Sequence, residues 1–244
     1  MQFHRPEVFS AAALVGPSRR LASCNLLIMN SKIADLYQIL WQHYGPQGWW
    51  PGETPLEVAV GAILTQNTNW QNVARAIARL KEADVLSAQA LMALPQADLA
   101  ALIRPAGYYN IKAGRLKNFI AYLMAQYQGS MARLAAAPLD RLRPELLAVK
   151  GIGPETADSI LLYALHKPVF VVDTYTHRIF SRHGLTAGPY AYGELQALCH
   201  ASLPRDLALF QEFHALLVRT GKDCCRPRPR CASCPLANYS HPCL

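Results

Sequence analysis

No stretch of this chain approaches the roughly 18 consecutive apolar residues that a membrane-crossing helix requires, so neither a spanning segment nor a membrane partner is expected. Charged residues are scarce, 16% of 244 against 52% apolar. That balance excludes the highly charged, core-poor sequences that stay unfolded, and the length suffices for one large domain or two intimate lobes. No internal repeat or low-complexity tract stands out. Cysteine is missing between Cys24 and Cys199, whereas five of the seven cysteines fall in the last 21 residues. An odd, clustered set argues for metal binding over a disulfide framework. What is in excess is positive charge: 24 Lys and Arg against 16 Asp and Glu give +8, which suits a polyanionic partner such as nucleic acid.

Nearly everything reads as helix. Thr54 can cap a helix that starts at Pro55, with Glu57 completing a capping box. Leu56, Ala59, Val60, Ile63 and Leu64 then recur at the helical spacing of three and four. Alanine-rich stretches from Val73 to Leu102 and from Ala113 to Tyr127 continue the pattern, with Pro95, Pro105, Pro138 and Pro144 as punctuation. Val169 to Val172 is apolar and β-branched, but it is short and isolated, and reads as a buried connector. Residues 1–28 fit no packed element and are expected to be a disordered extension, with Met29 as an alternative start. A cytoplasmic protein is expected.

Residues 146–165 read LLAVKGIGPETADSILLYAL: a helix, the hairpin Lys150-Gly151-Ile152-Gly153, then a second helix from Pro154 with Ala157, Ile160, Leu161, Ala164 and Leu165 on one face. Glycines free the backbone torsions and clear the surface. Amides of the hairpin and of the following helix start can then point at a phosphate oxygen, with Ile152 as the anchor in the core.

Asp173 lies twenty residues beyond Gly153, after Val169-Phe170-Val171-Val172 and before Thr174-Tyr175-Thr176-His177-Arg178. An aspartate there caps a helix. It can also stabilise the positive charge that builds on a sugar when an N-glycosidic bond breaks, and orient water for attack.

The block from Lys150 to Ala157, continuing through Val172-Asp173-Thr174 and Arg178, resembles the helix-hairpin-helix and aspartate signature of the endonuclease III superfamily of DNA glycosylases. The similarity extends from about Leu56 to the C-terminal cysteines. It implies that Asp173 is catalytic. Bifunctional members carry a lysine two residues after the second hairpin glycine, and it forms a Schiff base with the sugar. Here that residue is Glu155, which cannot, so a monofunctional enzyme is expected. Tyr175 is a second departure, standing where many members have histidine.

The resemblance also implies that Gln66 and Tyr108 wedge into the duplex when a nucleotide is flipped out. The segments Trp49-Trp50-Pro51, Leu64-Thr65-Gln66-Asn67-Thr68-Asn69-Trp70 and Gly107-Tyr108-Tyr109-Asn110 are similar to those of one branch, the 3-methyladenine DNA glycosylase III group. In that branch Trp49, Trp50, Pro51 and Trp70 would form the slot for the extruded base. Electron-rich indole faces attract the delocalised cation of an N-alkylated purine by about 0.5–2 kcal/mol beyond ordinary stacking.

Four thiolates can hold a [4Fe–4S] cluster or, as the alternative, zinc. The family spacing C-x6-C-x2-C-x5-C matches Cys224, Cys231 and Cys234. Counting from Gly221 favours Cys225 over Cys224 as the first ligand, with a shorter first loop. Cys243 would be the fourth ligand, after an interval of eight residues instead of five. The loop carrying Arg226, Arg228 and Arg230 would then be a basic prong for phosphates.

The expected fold is therefore all-α and two-lobed, of the helix-hairpin-helix DNA glycosylase type with a C-terminal iron–sulfur loop. Residues 55–167 would form a six-helix barrel; 29–54 with 168–244 would form the cluster lobe. The expected activity is removal of alkylated purines from duplex DNA by a nucleoid-associated monomer. Glycosylase/lyase action on oxidised pyrimidines is the first alternative, and a non-catalytic DNA-binding module the second.

Overall fold

The computed structural model describes residues 32–50, 52–186 and 191–239. The extension 1–28, Met29, Pro51 and Cys243 lie outside them. Helix α1 (32–44) buries Ile33, Leu36 and Leu40, the three-and-four spacing of one apolar face. Helices α2 (Pro55–Leu64), α3 (Trp70–Glu82), α4 (Ala88–Ala93), α5 (Gln96–Leu102), α6 (Tyr109–Tyr127), α7 (Met131–Ala136) and α8 (Leu139–Ala148) follow. Helix α9 (Pro154–Ser159) runs directly into a π turn (Ile160–Ala164), and α10 (Thr174–Arg182), α11 (Tyr192–Ser202) and α12 (Leu207–Asp223) complete the order. No strand occurs among the described residues, and Val169 to Val172 form a buried connector at 0–4% exposure.

Side-chain caps set several helix starts. Thr54, Asn69, Ser87, Ser130, Asp173 and Asp206 each accept a backbone N–H from the first turn of the helix they precede, satisfying a donor that the helix cannot. The capping box at α2 is altered. Glu57 reaches one residue further back, to the Glu53 amide at 3.2 Å, and pairs with Lys81 at 3.0 Å. Pro144 lies inside α8 instead of ending it. It faces solvent, where water can serve the carbonyl its missing N–H leaves unpaired. The second hairpin helix does not keep one apolar face. Its π turn brings Leu162 and Tyr163 into the core beside Ile160, Leu161 and Ala164.

Helix α2 is the hub, buried from Glu57 to Leu64 and packed on α3, α6, α9 and the π turn. Helix α10 packs on α12, and α12 reaches the π turn. The approach of α10 to α12 needs Gly221: a Cβ there would fall 2.2 Å from the Tyr175 ring.

The two ends of the hairpin unit meet α11 through a buried carboxylate. Asp158 is fully buried and accepts both Arg143 bonds (2.8 and 3.0 Å), the Tyr192 hydroxyl (2.9 Å) and the Gln196 amide (2.7 Å). Gln196 also donates to the Phe170 carbonyl at 2.7 Å, fixing the connector that leads to Asp173. A carboxylate so enclosed is tolerable only while its partners remain. Arg143→Met is therefore expected to lower stability by about 3–5 kcal/mol, read as a shifted denaturant midpoint at unchanged slope. A change below about 1 kcal/mol, the range of exposed pairs, would refute this role for the Asp158 cluster.

Candidate active site

Asp173 stands where the buried connector ends and α10 begins. Its backbone is extended, and Oδ1 accepts the Thr176 amide at 2.7 Å and the Thr176 hydroxyl at 2.9 Å. Its other oxygen faces His214 Nε2 across 3.6 Å; both side chains are nearly buried, at 9% and 6% exposure. Burial alone would raise the carboxyl pKa. The His214 interaction and the two Thr176 bonds outweigh it and hold the carboxyl below its ordinary value. The carboxylate thus stays ionised inside protein, where a negative charge can stabilise a cation placed beside it.

His214 comes from α12, and its other nitrogen, Nδ1, lies 2.6 Å from the Tyr163 hydroxyl. Tyr163 sits in the π turn, also donates to the Gln211 carbonyl at 3.2 Å, and stacks on Trp50 with ring centroids 4.7 Å apart. Trp50 meets Trp70 edge to face at 5.7 Å. A chain of contacts therefore runs from the carboxylate through an imidazole and a phenol to two indoles. Trp49 is turned aside: Lys222 Nζ lies 5.1 Å from its ring centroid. The loop bearing both tryptophans is tied to α12, where Glu212 accepts the Gln47 and Gly48 amides at 2.9 and 3.1 Å. Trp50 itself has a left-handed backbone, φ +85, which a bulky side chain seldom adopts.

The hairpin needs only one of its glycines for its torsions. Gly151 has φ +96, and a Cβ there would strike Arg115 at 2.4 Å. Gly153 is extended, and nothing lies near the position a Cβ would take; its value is a cleared surface. Ile152 is buried and Lys150 exposed. Tyr108, left-handed at φ +47, is 67% exposed. Ile111, one turn on, is exposed as well; sequence reading passed over it. Gln66 is half-buried, and its amide donates to the Gly151 carbonyl (3.2 Å) and to the Thr156 hydroxyl (2.8 Å) while accepting from Arg115.

Glu155 reaches solvent near Asp173; partial desolvation, then the Asp173 charge, raise its carboxyl pKa. Two carboxylates thus share this end of the site, one ionised more readily than usual and one less.

Behind α12 four thiols share a neighbourhood. Burial, then the charges of Cys224, Cys225 and Cys231, push the Cys234 thiol up to about 11 against a hydrogen bond from the Leu236 amide. Cys225 Sγ accepts from Arg182 at 3.2 Å, and its carbonyl accepts from Arg178 at 2.6 Å. Cys224 Sγ faces Tyr44 (3.9 Å) and donates to the Ser233 carbonyl (3.4 Å). Among the described residues no three His, Cys, Asp or Glu side chains converge on a single ion. Arg182 also holds the Arg226 and Pro227 carbonyls, and Arg226, Arg228 and Arg230 are exposed.

Residues 60–205 match the family model of the HhH-GPD superfamily of base excision DNA repair proteins. The chain is 47% identical over 209 residues to a Methanocaldococcus jannaschii protein assigned by name to the DNA repair glycosylases, covering 85% of this chain and 94% of that one. It is 31% identical over 188 residues to endonuclease III of Thermotoga maritima, covering 76% and 82%. Among solved structures it is similar to the H. pylori 3-methyladenine DNA glycosylase bound to 1,N6-ethenoadenine, with TM-score 0.66 and 29% identity over 81% and 96% of the two chains. It shares its fold with a non-covalent endonuclease III–DNA complex, with TM-score 0.75 and 23% identity over 86% and 94%. The fold and these similarities define a DNA N-glycosylase. The chain belongs to the HhH-GPD superfamily of base excision repair proteins.

Because His214 helps depress the Asp173 pKa, His214→Leu is expected to move the acid limb of the single-turnover excision profile to higher pH. The sign follows from linkage. Stability and activity that depend on the ionised carboxylate are lost as pH falls through its folded pKa, and that pKa rises when His214 is removed. An unchanged acid limb would show that His214 does not act on Asp173.

Proposed function

We propose that the protein is a monofunctional glycosylase that hydrolyses the N-glycosidic bond of alkylated purines, 3-methyladenine above all, in duplex DNA. The observation that carries this reading is the aromatic cluster of Trp50, Tyr163 and Trp70, joined through His214 to the carboxylate of Asp173. An N-alkylated purine is a flat cation. Indole and phenol faces favour it over the neutral bases of undamaged DNA. Such a base also leaves without prior protonation, so the carboxylate needs only to stabilise the sugar cation and direct water to it. Glu155 at the amine position supports hydrolysis over Schiff-base chemistry, since a carboxylate cannot condense with the sugar. The hairpin from Lys150 to Gly153 and the prong of Arg226, Arg228 and Arg230 would hold backbone phosphates, with Tyr108 and Gln66 filling the vacated stack. The bound ethenoadenine of the H. pylori relative, itself a modified purine, is in keeping with this substrate class.

Cys225, Cys231 and Cys234, with Cys243 from outside the described residues, are proposed to hold a [4Fe–4S] cluster. What supports this reading is that four thiols lie close enough to influence one another's charge, and that Arg178 and Arg182 at Cys225 would offset the negative charge of a thiolate-bound cluster. When bound, the cluster supplies a covalent staple that fixes the arginine prong.

Three measurements test these assignments. Purified protein is expected to release alkylated purine from a panel of damaged duplexes and to leave the abasic site intact, with no complex trapped by borohydride. Trapping that disappears when one lysine is changed would overturn the monofunctional reading. Asp173→Asn keeps the capping oxygen but lacks the charge, and is expected to slow excision by at least about 10²-fold while duplex affinity holds. The protein is further expected to be brown with [4Fe–4S] iron stoichiometry; colourless protein with one zinc per chain would exclude the cluster.

A further inference from the structure

Helix α6 carries three polar side chains, Lys112, Arg115 and Asn118, spaced three residues apart and so about 4.5 Å along its axis. Between them they reach the Leu64–Gln66 segment, the turn before Tyr108 and the Lys150–Gly153 hairpin. Lys112 is 1% exposed, and its ammonium donates to the carbonyls of Leu64 (2.9 Å) and Ala106 (2.7 Å). Those carbonyls precede the two wedge residues, Gln66 and Tyr108, by two positions each. Arg115 donates to the Gln66 amide oxygen and packs across Gly151 where a Cβ would otherwise sit. Asn118 donates to the Lys150 carbonyl at 2.9 Å. Tyr108 is itself the residue from which α6 starts.

We propose that Lys112, Arg115 and Asn118 are positioning residues that fix the spacing among the two wedge loops and the phosphate-binding hairpin, so that wedge insertion and phosphate capture occur in one register. Burial, aided by the Arg115 charge, brings the Lys112 pKa down to about 8, a sign that the ammonium is held there at a cost. An apolar side chain would avoid that cost but would leave two buried carbonyls unpaired. The strut from Arg115 through Gln66 to Gly151 and Thr156 then transmits the α6 position to the hairpin. The proposal rests on the wedge roles given above to Gln66 and Tyr108, and not on which base is excised.

The test uses the full-length protein and a duplex holding a tetrahydrofuran abasic analogue opposite 2-aminopurine, whose fluorescence changes when a wedge displaces the orphan base. No base is removed from this probe, so its outcome is independent of the alkylpurine reading. Arg115→Met is expected to slow the fluorescence change by at least about tenfold, since small misplacements of positioned groups are costly. Affinity for the same duplex should stay within about twofold, because the hairpin amides and the Arg226, Arg228 and Arg230 side chains remain and can still reach phosphates, and what is lost is their register with the wedge. Gln66→Ala should show a similar loss, and the Arg115→Met/Gln66→Ala double variant should be no slower than Gln66→Ala alone, the non-additivity of two residues acting in one contact. Lys112→Met should show the same slowing at preserved affinity. If that variant does not fold, the Arg115–Gln66 cycle decides. The proposal fails if the two single losses multiply in the double variant, or if affinity falls in step with rate, since Arg115 would then act directly on the phosphates. It also fails if folded Lys112→Met inserts its wedge at the wild-type rate.

Discussion

A carboxylate kept ionised inside protein is the constraint from which the rest of this architecture follows. Taking the Asp173 charge out of water costs several kcal/mol unless hydrogen bonds and an opposite partial charge replace the lost solvation. Thr176 supplies two of those bonds from the first turn of α10, where the helix dipole also favours a negative charge. His214 supplies the remaining contact from α12, so α10 and α12 must lie against each other. Gly221 permits that approach, beneath Tyr175. The connector before Asp173 must be immobile too. Gln196 grips its Phe170 carbonyl while also holding Asp158. The position of Asp173 is thus anchored in the same buried polar cluster that joins the hairpin unit to α11.

The π turn belongs to the same scheme. Such widened turns appear mostly as local insertions in α-helices and often at functional sites. Here the turn holds Tyr163, whose hydroxyl meets His214 and whose ring stacks on Trp50. One residue therefore connects the charge-bearing part of the site to the aromatic part, and neither can shift without the other. The left-handed Trp50 is held to that ring by the ties from Gln47 and Gly48 to α12, so α12 positions both ends of the chain of contacts.

Features with a local cause were legible in the sequence. The all-helical class follows from spacing and caps; Thr54 and Asp173 are caps because short polar side chains before an apolar periodic run have that local use. The hairpin is legible because glycine next to a buried anchor has few other purposes, though its two glycines serve different ends: Gly151 a torsion, Gly153 a clear surface. What could not be read are contacts between residues distant in the chain. His214 looks like any histidine on an amphipathic helix, and its role exists only because α12 returns to α10. Tyr163 falls off the apolar face that helical spacing assigns to the second hairpin helix; it is core all the same, because a π turn that no spacing rule anticipates turns it inward and directs its hydroxyl to His214. Pro144 failed as punctuation because its exposed face lets water serve the freed carbonyl. Lys112 lay in plain view within an amphipathic helix, where a lysine ordinarily means solvent.

On the proposed reading, the charge of the cleft also turns on residue 155. A lysine there would be a cation beside Asp173, lowering that carboxylate's effective charge while serving as nucleophile. Glu155 does the reverse. Its carboxyl pKa is raised by partial desolvation and by Asp173, so the two acids compete for negative charge, and the pair is relieved when a cation enters. A positively charged purine, and then a positively charged sugar as the base departs, each supply that cation in turn. Neutral undamaged purines supply neither until the bond is nearly broken. Substitution of one residue after the hairpin therefore changes two properties together: it removes the amine that would cleave the strand, and it makes the site more anionic, which favours substrates that arrive already charged.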